Sequence, residues 1–211
     1  MYTVVVWDWN GTLLDDVGHN LTIVNSLLTD RDLPVITIDT YKRFFRMPIR
    51  DFYEDIGFDL TKHSFESIAA DYNRLYRQYF RDMPLTEGIT ELLATLKSGK
   101  IKQYIVSASE QTSLLEQVKQ KGIAGFFTKI AGNPDYSVIS KVDRAREVRK
   151  EIGASEKILF VGDLDHDYEV ANAMGADCVI YKNGHQRDHA KGTYRTIERM
   201  GELADIVGIT A

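Results

Sequence analysis

Val4-Val5-Val6-Trp7-Asp8-Trp9-Asn10-Gly11-Thr12-Leu13-Leu14-Asp15 sets four consecutive apolar side chains directly before an acid and a turn-prone Asn-Gly pair. A run that is apolar at every position, rather than at every second one, suits a strand covered on both faces, as in parallel sheets. The pattern recurs: Ile101 to Val106 ends at Ser107, Ile158 to Val161 ends at Gly162-Asp163, and Cys178 to Tyr181 ends at Asn183-Gly184. Between these runs lie helical spacings closed by glycine: Leu92, Leu93 and Leu96 before Gly99, Leu114, Leu115 and Val118 before Gly122, and Val142, Ala145, Val148 and Ile152 before Gly153. Strand alternating with helix predicts an α/β fold, a doubly wound parallel sheet with helices on both faces. Ligands in such sheets bind beyond the carboxyl ends of the strands, where Asp8, Ser107 and Asp163 fall.

The stretch 17–83 reads differently. It has no strand pattern, and its apolar residues follow helical spacing: Val17, Leu21, Val24 and Leu28; then Ile49, Phe52, Tyr53 and Ile56 before Gly57; then Phe65, Ile68, Tyr72, Leu75, Tyr79 and Phe80, closed by Pro84. This predicts an all-helical insert, with residues 1–16 and 84–211 forming the α/β core. The aromatic stripes of the insert are read as core packing.

A chain of 211 residues can bury one substantial core and still carry a small insert. Its net charge of −5 lacks the basic excess that a nucleic-acid backbone demands, so a small molecule is the expected partner and the chain is expected to act as a monomer or homodimer. Cys178 stands alone, which excludes an intrachain disulfide and suits a reducing cytoplasm. The apolar run Thr3 to Trp7 is too short for a signal peptide or a membrane span, so no membrane association is expected. No Gly-x-Gly-x-x-Gly follows any strand, which sets a dinucleotide-dependent oxidoreductase aside.

The segment Val5 to Asp15 resembles the first motif of the haloacid dehalogenase (HAD) superfamily, usually Asp-x-Asp-Gly-Thr, and three later segments follow that family's order. Ile105-Val106-Ser107 resembles the second motif, Lys141 the lysine of the third, with Lys129 as fallback, and Val161-Gly162-Asp163-Leu164-Asp165-His166-Asp167 the fourth. A helical insert just after the first motif is what this family calls a C1 cap, and the whole pattern is similar to phosphoglycolate phosphatase-like members. The resemblance implies that Asp8 attacks phosphorus to give an aspartyl phosphate. It implies that Gly11, Thr12, Ser107 and Ala108 cradle the phosphoryl group, and that Lys141 offsets negative charge there. It also implies Mg²⁺ held by Asp8, the backbone carbonyl of Asn10 and Asp163, with Asp167 positioning Lys141 or a metal water and Asp165 as a substitute for either. The substrate expected on these grounds is a small phosphorylated metabolite.

One position departs from the motif. Where most family phosphatases have a second Asp that serves as general acid and base, this chain has Asn10, and an amide can do neither. Such a loss typically costs on the order of 10²- to 10⁴-fold in rate. The expected consequences are a preference for good leaving groups, a substitute proton carrier among Asp15, Asp16, His166 and His185, or slow turnover. Phosphonatases and dehalogenases of the family also lack that Asp, but a phosphonatase needs a cap lysine, for which only Lys42 and Lys62 are available, and a dehalogenase has no use for the acids at 163–167. A phosphoacceptor switch that never turns over, and a silent binding protein, are the competing classes. In the loop Phe45-Arg46-Met47-Pro48-Ile49-Arg50, Arg46 or Arg50 is the candidate for a second anionic group on the substrate.

Overall fold

The computed structural model describes residues 1–134, 140–189, 192 and 194–209. Its sheet contains β1 (Val4–Trp7), β2 (Lys102–Glu110), β3 (Lys129–Asn133), β4 (Ile158–Gly162), β5 (Asp177–Tyr181) and β6 (Arg195–Ile197). The spatial order is β3-β2-β1-β4-β5-β6, and every neighbouring pair is parallel. β1 is central: Val4 lies opposite Lys102 and Ile158, and Trp7 opposite Ile105 and Val161.

The helices are α1 (Val17–Thr29), α2 (Ile38–Phe44), α3 (Ile49–Asp55), α4 (Phe65–Tyr79), α5 (Ile89–Ser98), α6 (Gln111–Gln120), α7 (Lys141–Ile152), α8 (Asp165–Met174) and α9 (Glu202–Val207). Alternation along β1 assigns its side chains to two cores. Val4 and Val6 pack with Ala145 and Val148 of α7 and with Val170 and Met174 of α8. Val5 and Trp7 pack on the other face with residues of α5, α6 and α9, in a core that continues into α1 and α4. All four β1 side chains are fully buried, the outcome expected of an unbroken apolar run.

Between β1 and β2 the chain is helical. The predicted turns at Ile49 and Phe65 are α3 and α4, the latter passing into a short 3-10 turn, Phe80–Asp82, before Pro84. Two strands had no counterpart in the sequence reading, β3 and β6, and both are sheet edges. Lys129-Ile130-Ala131-Gly132-Asn133 and Arg195-Thr196-Ile197 have few large apolar residues, because an edge strand is covered less completely than a central one. β2 also runs past the expected stop at Ser107 to Glu110, with irregular pairing to β3 beyond Val106.

Candidate active site

Because β1 and β4 are neighbours, their carboxyl ends deliver Asp8 and Asp163 to one place, and α8 adds Asp167 in its first turn. All three are buried, and each offers a carboxylate oxygen within 4.8 Å of the others. Lys141, the first residue of α7, is buried among them. Its Nζ donates to Asp8 Oδ1 and, at 2.6 Å, to Asp167 Oδ1. The Ser140 hydroxyl caps α7 by accepting from the Asp143 N–H at 3.2 Å, which fixes where the helix starts and hence where Lys141 sits. The other oxygen of Asp167 accepts the N–H groups of Asp163 and Leu164, both at 2.9 Å, so this carboxylate is committed to holding Lys141 and the start of α8. Asp163 accepts from the Thr12 hydroxyl at 3.2 Å and the His185 N–H at 2.6 Å.

Burial pushes Asp8 up to about 6 against the pull of Lys141, and pushes Asp163 up to about 8. Burial alone would lower the Lys141 ammonium, but Asp167 and Asp8 outweigh it and hold the lysine protonated. Three carboxyl groups share one ammonium in a water-poor site, and the two that burial raises would ionise fully only with a further positive charge beside them. Oxygen donors of this kind fit a hard divalent cation, and Asp8 and Asp163 are the carboxylates whose oxygens are best placed to hold it. The backbone here has no room for larger residues. Gly11 has φ +69°, and a Cβ there would lie 2.5 Å from Asp163 Oδ2; a Cβ on Gly184 would lie 2.2 Å from the Asp163 Cβ.

Ser107 is buried on β2. Its hydroxyl accepts the Ser109 N–H and donates to the Ser109 hydroxyl, both at 3.1 Å, and Ser109 Oγ in turn donates to Asn10 Oδ1 at 3.2 Å. Ser107, Ala108 and Ser109 line the same cavity as Asp8, Asn10 and Lys141. Ser109 had no place in the sequence reading, since β2 was expected to end two residues earlier.

Asn10 is the centre of a second network. Its Nδ2 donates to Asp16 Oδ2 at 2.7 Å and to the Tyr76 hydroxyl at 2.6 Å. Asp16 is fully buried and also accepts from the Gly11 N–H at 2.8 Å, Asn20 Nδ2 at 2.7 Å and the Tyr76 hydroxyl at 3.3 Å, with His185 Nε2 3.1 Å away. Burial would raise the Asp16 carboxyl, yet His185 and the donors around it reverse that and hold it below its ordinary value. His185 is buried too; Asp16 outweighs its burial and raises it. Tyr41 OH meets His185 Nδ1 at 2.9 Å, and Phe45 stacks on the imidazole with centroids 4.6 Å apart. Of the four suggested proton carriers, Asp16, His166 and His185 line the cavity, whereas Asp15 is exposed and outside it.

The tyrosines correct the sequence reading. Tyr72 was assigned to packing and Tyr76, one turn further along α4, was not singled out, but their hydroxyls reach Asn20 Oδ1 and the Asn10–Asp16 pair. The i, i+4 spacing was visible, but it could not tell which end of each ring is buried. Arg46 is corrected as well. It pairs with Asp55 at 2.8 Å and lies outside the cavity lining, while Arg77 on α4 lines it. Arg50 lies over the Phe65 ring, 5.0 Å from its centroid. Lys129 pairs with Glu151 at the amino end of β3, remote from the carboxyl ends of the strands. Asp165 bonds Gln186 Nε2 at 2.9 Å and the Tyr194 hydroxyl at 3.1 Å instead of facing Asp8.

The chain belongs to the haloacid dehalogenase-like hydrolases: that family's model matches residues 5–181. Among curated relatives, the tyrosine-protein kinase PtkA of Mycobacterium tuberculosis is 25% identical over 98% of this chain and 72% of its own length. The phosphoglycolate phosphatase of Synechococcus elongatus is 24% identical over 81% of this chain and 79% of its own length. Among solved structures, PtkA superposes with a TM-score of 0.84 at 23% identity, covering 99% of both chains. A predicted phosphoglycolate phosphatase from Haemophilus somnus 129pt gives 0.77 at 18% identity over 97% of each chain. These likenesses agree with the parallel α/β fold. Among the described residues no helix is long and apolar enough to cross a membrane.

Proposed function

We propose that this hydrolase is a Mg²⁺-dependent phosphatase of a small phosphorylated metabolite, working through a phosphoenzyme on Asp8, with helices α1–α4 as a cap over the site. The observation that carries the reading is the buried Asp8–Lys141–Asp167 chain at the base of a cavity of about 350 Å³ lined by Ser107, Ala108 and Asn10. Lys141 keeps Asp8 ionised and aimed into the cavity, and its charge offsets that of an incoming phosphoryl group. Ser107 Oγ and the backbone of 107–109 offer hydrogen bonds to phosphoryl oxygens. Mg²⁺ held by Asp8, the Asn10 carbonyl and Asp163 would neutralise phosphate charge and favour attack. The phosphoglycolate phosphatase relatives support this reaction class, and the lone, buried Cys178 supports a cytoplasmic setting.

The test is phosphate release from a panel that includes acetyl phosphate and phosphoglycolate, with Mg²⁺ and with EDTA. Release is expected only with metal and is expected to vanish in Asp8→Asn; activity that survives that substitution overturns the mechanism.

A second reading draws on Asn10. Both of its amide donors are held by Asp16 and Tyr76, so position 10 supplies no acid or base to the phosphoenzyme, and a phosphoryl group on Asp8 would be passed on slowly. Transfer to an acceptor other than water follows naturally from that, and the PtkA relatives agree with it. An imine-forming phosphonatase has no such support, since Lys42 donates to the Asn183 carbonyl, Lys62 pairs with Asp59, and neither lines the cavity.

A further inference from the structure

The cavity over Asp8 is bordered above by the helices that follow β1. A second cavity of about 190 Å³ lies among α1, α2, α3 and α4, and Asn20, Phe45, Ile49, Tyr72 and Asn73 border both. The residues that line it alone are Val24, Phe52, Phe65 and Ala69 together with the aromatic Tyr41 and Tyr53. A two-carbon acid phosphate has too few atoms to fill even the first cavity, whose volume of about 350 Å³ lies in the size range that encloses drug-sized ligands. We propose that the substrate is an aryl phosphate, with its phosphoryl group over Asp8 and its ring system held by Phe45, Ile49 and Tyr72 toward the inner chamber. The inference rests on the phosphatase reading and narrows its substrate.

A separate line of chemistry leads to the same class. The Asn10 amide spends both donors on Asp16 and Tyr76, so position 10 gives no proton to the leaving group, and a group that departs unprotonated is favoured in the first step. A phenol has a pKa of about 10, whereas an alkoxide is nearly as basic as hydroxide, whose conjugate acid has a pKa of about 15.7. In the step proposed, an Asp8 carboxylate oxygen bonds to phosphorus as the phosphorus–aryl oxygen bond breaks. The electron pair leaves on phenoxide, which takes its proton from solvent. Water then attacks the same phosphorus, the bond to Asp8 breaks, the carboxylate is regenerated, and phosphate and one proton are released. Acetyl phosphate shares the good leaving group but has nothing for an aromatic wall to hold.

The experiment measures kcat/KM of the full chain with Mg²⁺ on phenyl phosphate, 2-naphthyl phosphate, phosphoglycolate and acetyl phosphate. Both aryl esters are expected to exceed phosphoglycolate by about 100-fold or more, the scale of a general acid that is no longer needed. The naphthyl ester is expected to exceed the phenyl ester by about tenfold through KM, from the second ring buried. Ala69→Phe, which fills the chamber, is expected to erase that naphthyl-to-phenyl ratio, and Ala69→Leu gives the same measurement if the larger residue prevents folding. Phosphoglycolate turned over as well as the aryl esters, or acetyl phosphate hydrolysed while they are not, overturns this inference and leaves the phosphatase reading intact. No phosphate from any of the four overturns the phosphatase reading itself.

Discussion

Asn10 carries the chain's clearest departure from its family, and its surroundings explain why an amide stands there. The Asp16 carboxylate is 2.7 Å from Asn10 Nδ2 and is held there by Gly11, Asn20 and Tyr76. A carboxylate at position 10 would face that of Asp16, and two such groups in one site cannot both ionise freely. From sequence alone, Asn10→Asp reads as the repair of a missing acid. With Asp16 in view, the same substitution is expected to destabilise the protein by about 1–3 kcal/mol in urea unfolding, because it turns a satisfied donor pair into a repulsion. Adding Asp16→Asn should recover part of that loss, and a single variant as stable as the parent would show that Asp16 does not restrain this position. Asp8 and Lys141 were legible in the sequence because each sits at a fixed place in the chain, a strand end and a helix start, within segments that resemble the family's motifs. Asp16 and His185 were legible only as two names among four, since their pairing spans 169 residues.

At the level of elements, α4 does more than close the insert. Its inward face brings Tyr72, Asn73, Tyr76 and Arg77 to the cavity, whereas the loop between α2 and α3 contributes Phe45 and Met47, with Ile49 at the start of α3, but leaves Arg46 on the outside with Asp55 and Asp51. Arg77 is exposed at the rim, so any anion it meets is partly screened by water. Arg77→Ala is expected to raise KM about two- to fivefold for substrates with a second anionic group, the range of an exposed ion pair. Arg46→Ala is expected to leave KM where it is; the opposite pattern in steady-state kinetics would return the role to the loop. The helical periodicity of residues 65–80 predicted the helix without showing this face, because a ring with a hydroxyl suits a core and a polar site equally well. The two strands that escaped the reading, β3 and β6, did so because edge strands need few apolar side chains.

Across the molecule, the acidic site links metal, pH and stability. In metal-free protein, burial holds Asp8 and Asp163 above the ordinary carboxylate range, at about 6 and about 8. The folded chain therefore binds protons there more tightly than the unfolded chain does. That contribution to stability is whole below the unfolded value of 3.8 and is lost as pH rises through 6 and then 8. His185, also raised, acts in the same direction above the ordinary histidine value of 6.5, while Asp16, lowered, costs stability only under more acid conditions. On the proposed reading Mg²⁺ would bind the ionised carboxylates and offset the loss, so its gain in Tm is expected to be larger near about pH 8 than near about pH 5.5. An equal gain at both, measured against EDTA, would place the metal elsewhere. The sequence by itself determined the parallel α/β class, the helical stretch after β1 and the carboxylates and lysine of the site, because apolar runs, helical spacing and strand-end positions are local properties of the chain. The tertiary structure alone decided that Asp16 holds Asn10, that Arg77 rather than Arg46 meets the cavity, and that an aromatic chamber adjoins the cavity over Asp8. Each of these depends on groups from distant segments meeting in space, and no spacing along the chain records that distance.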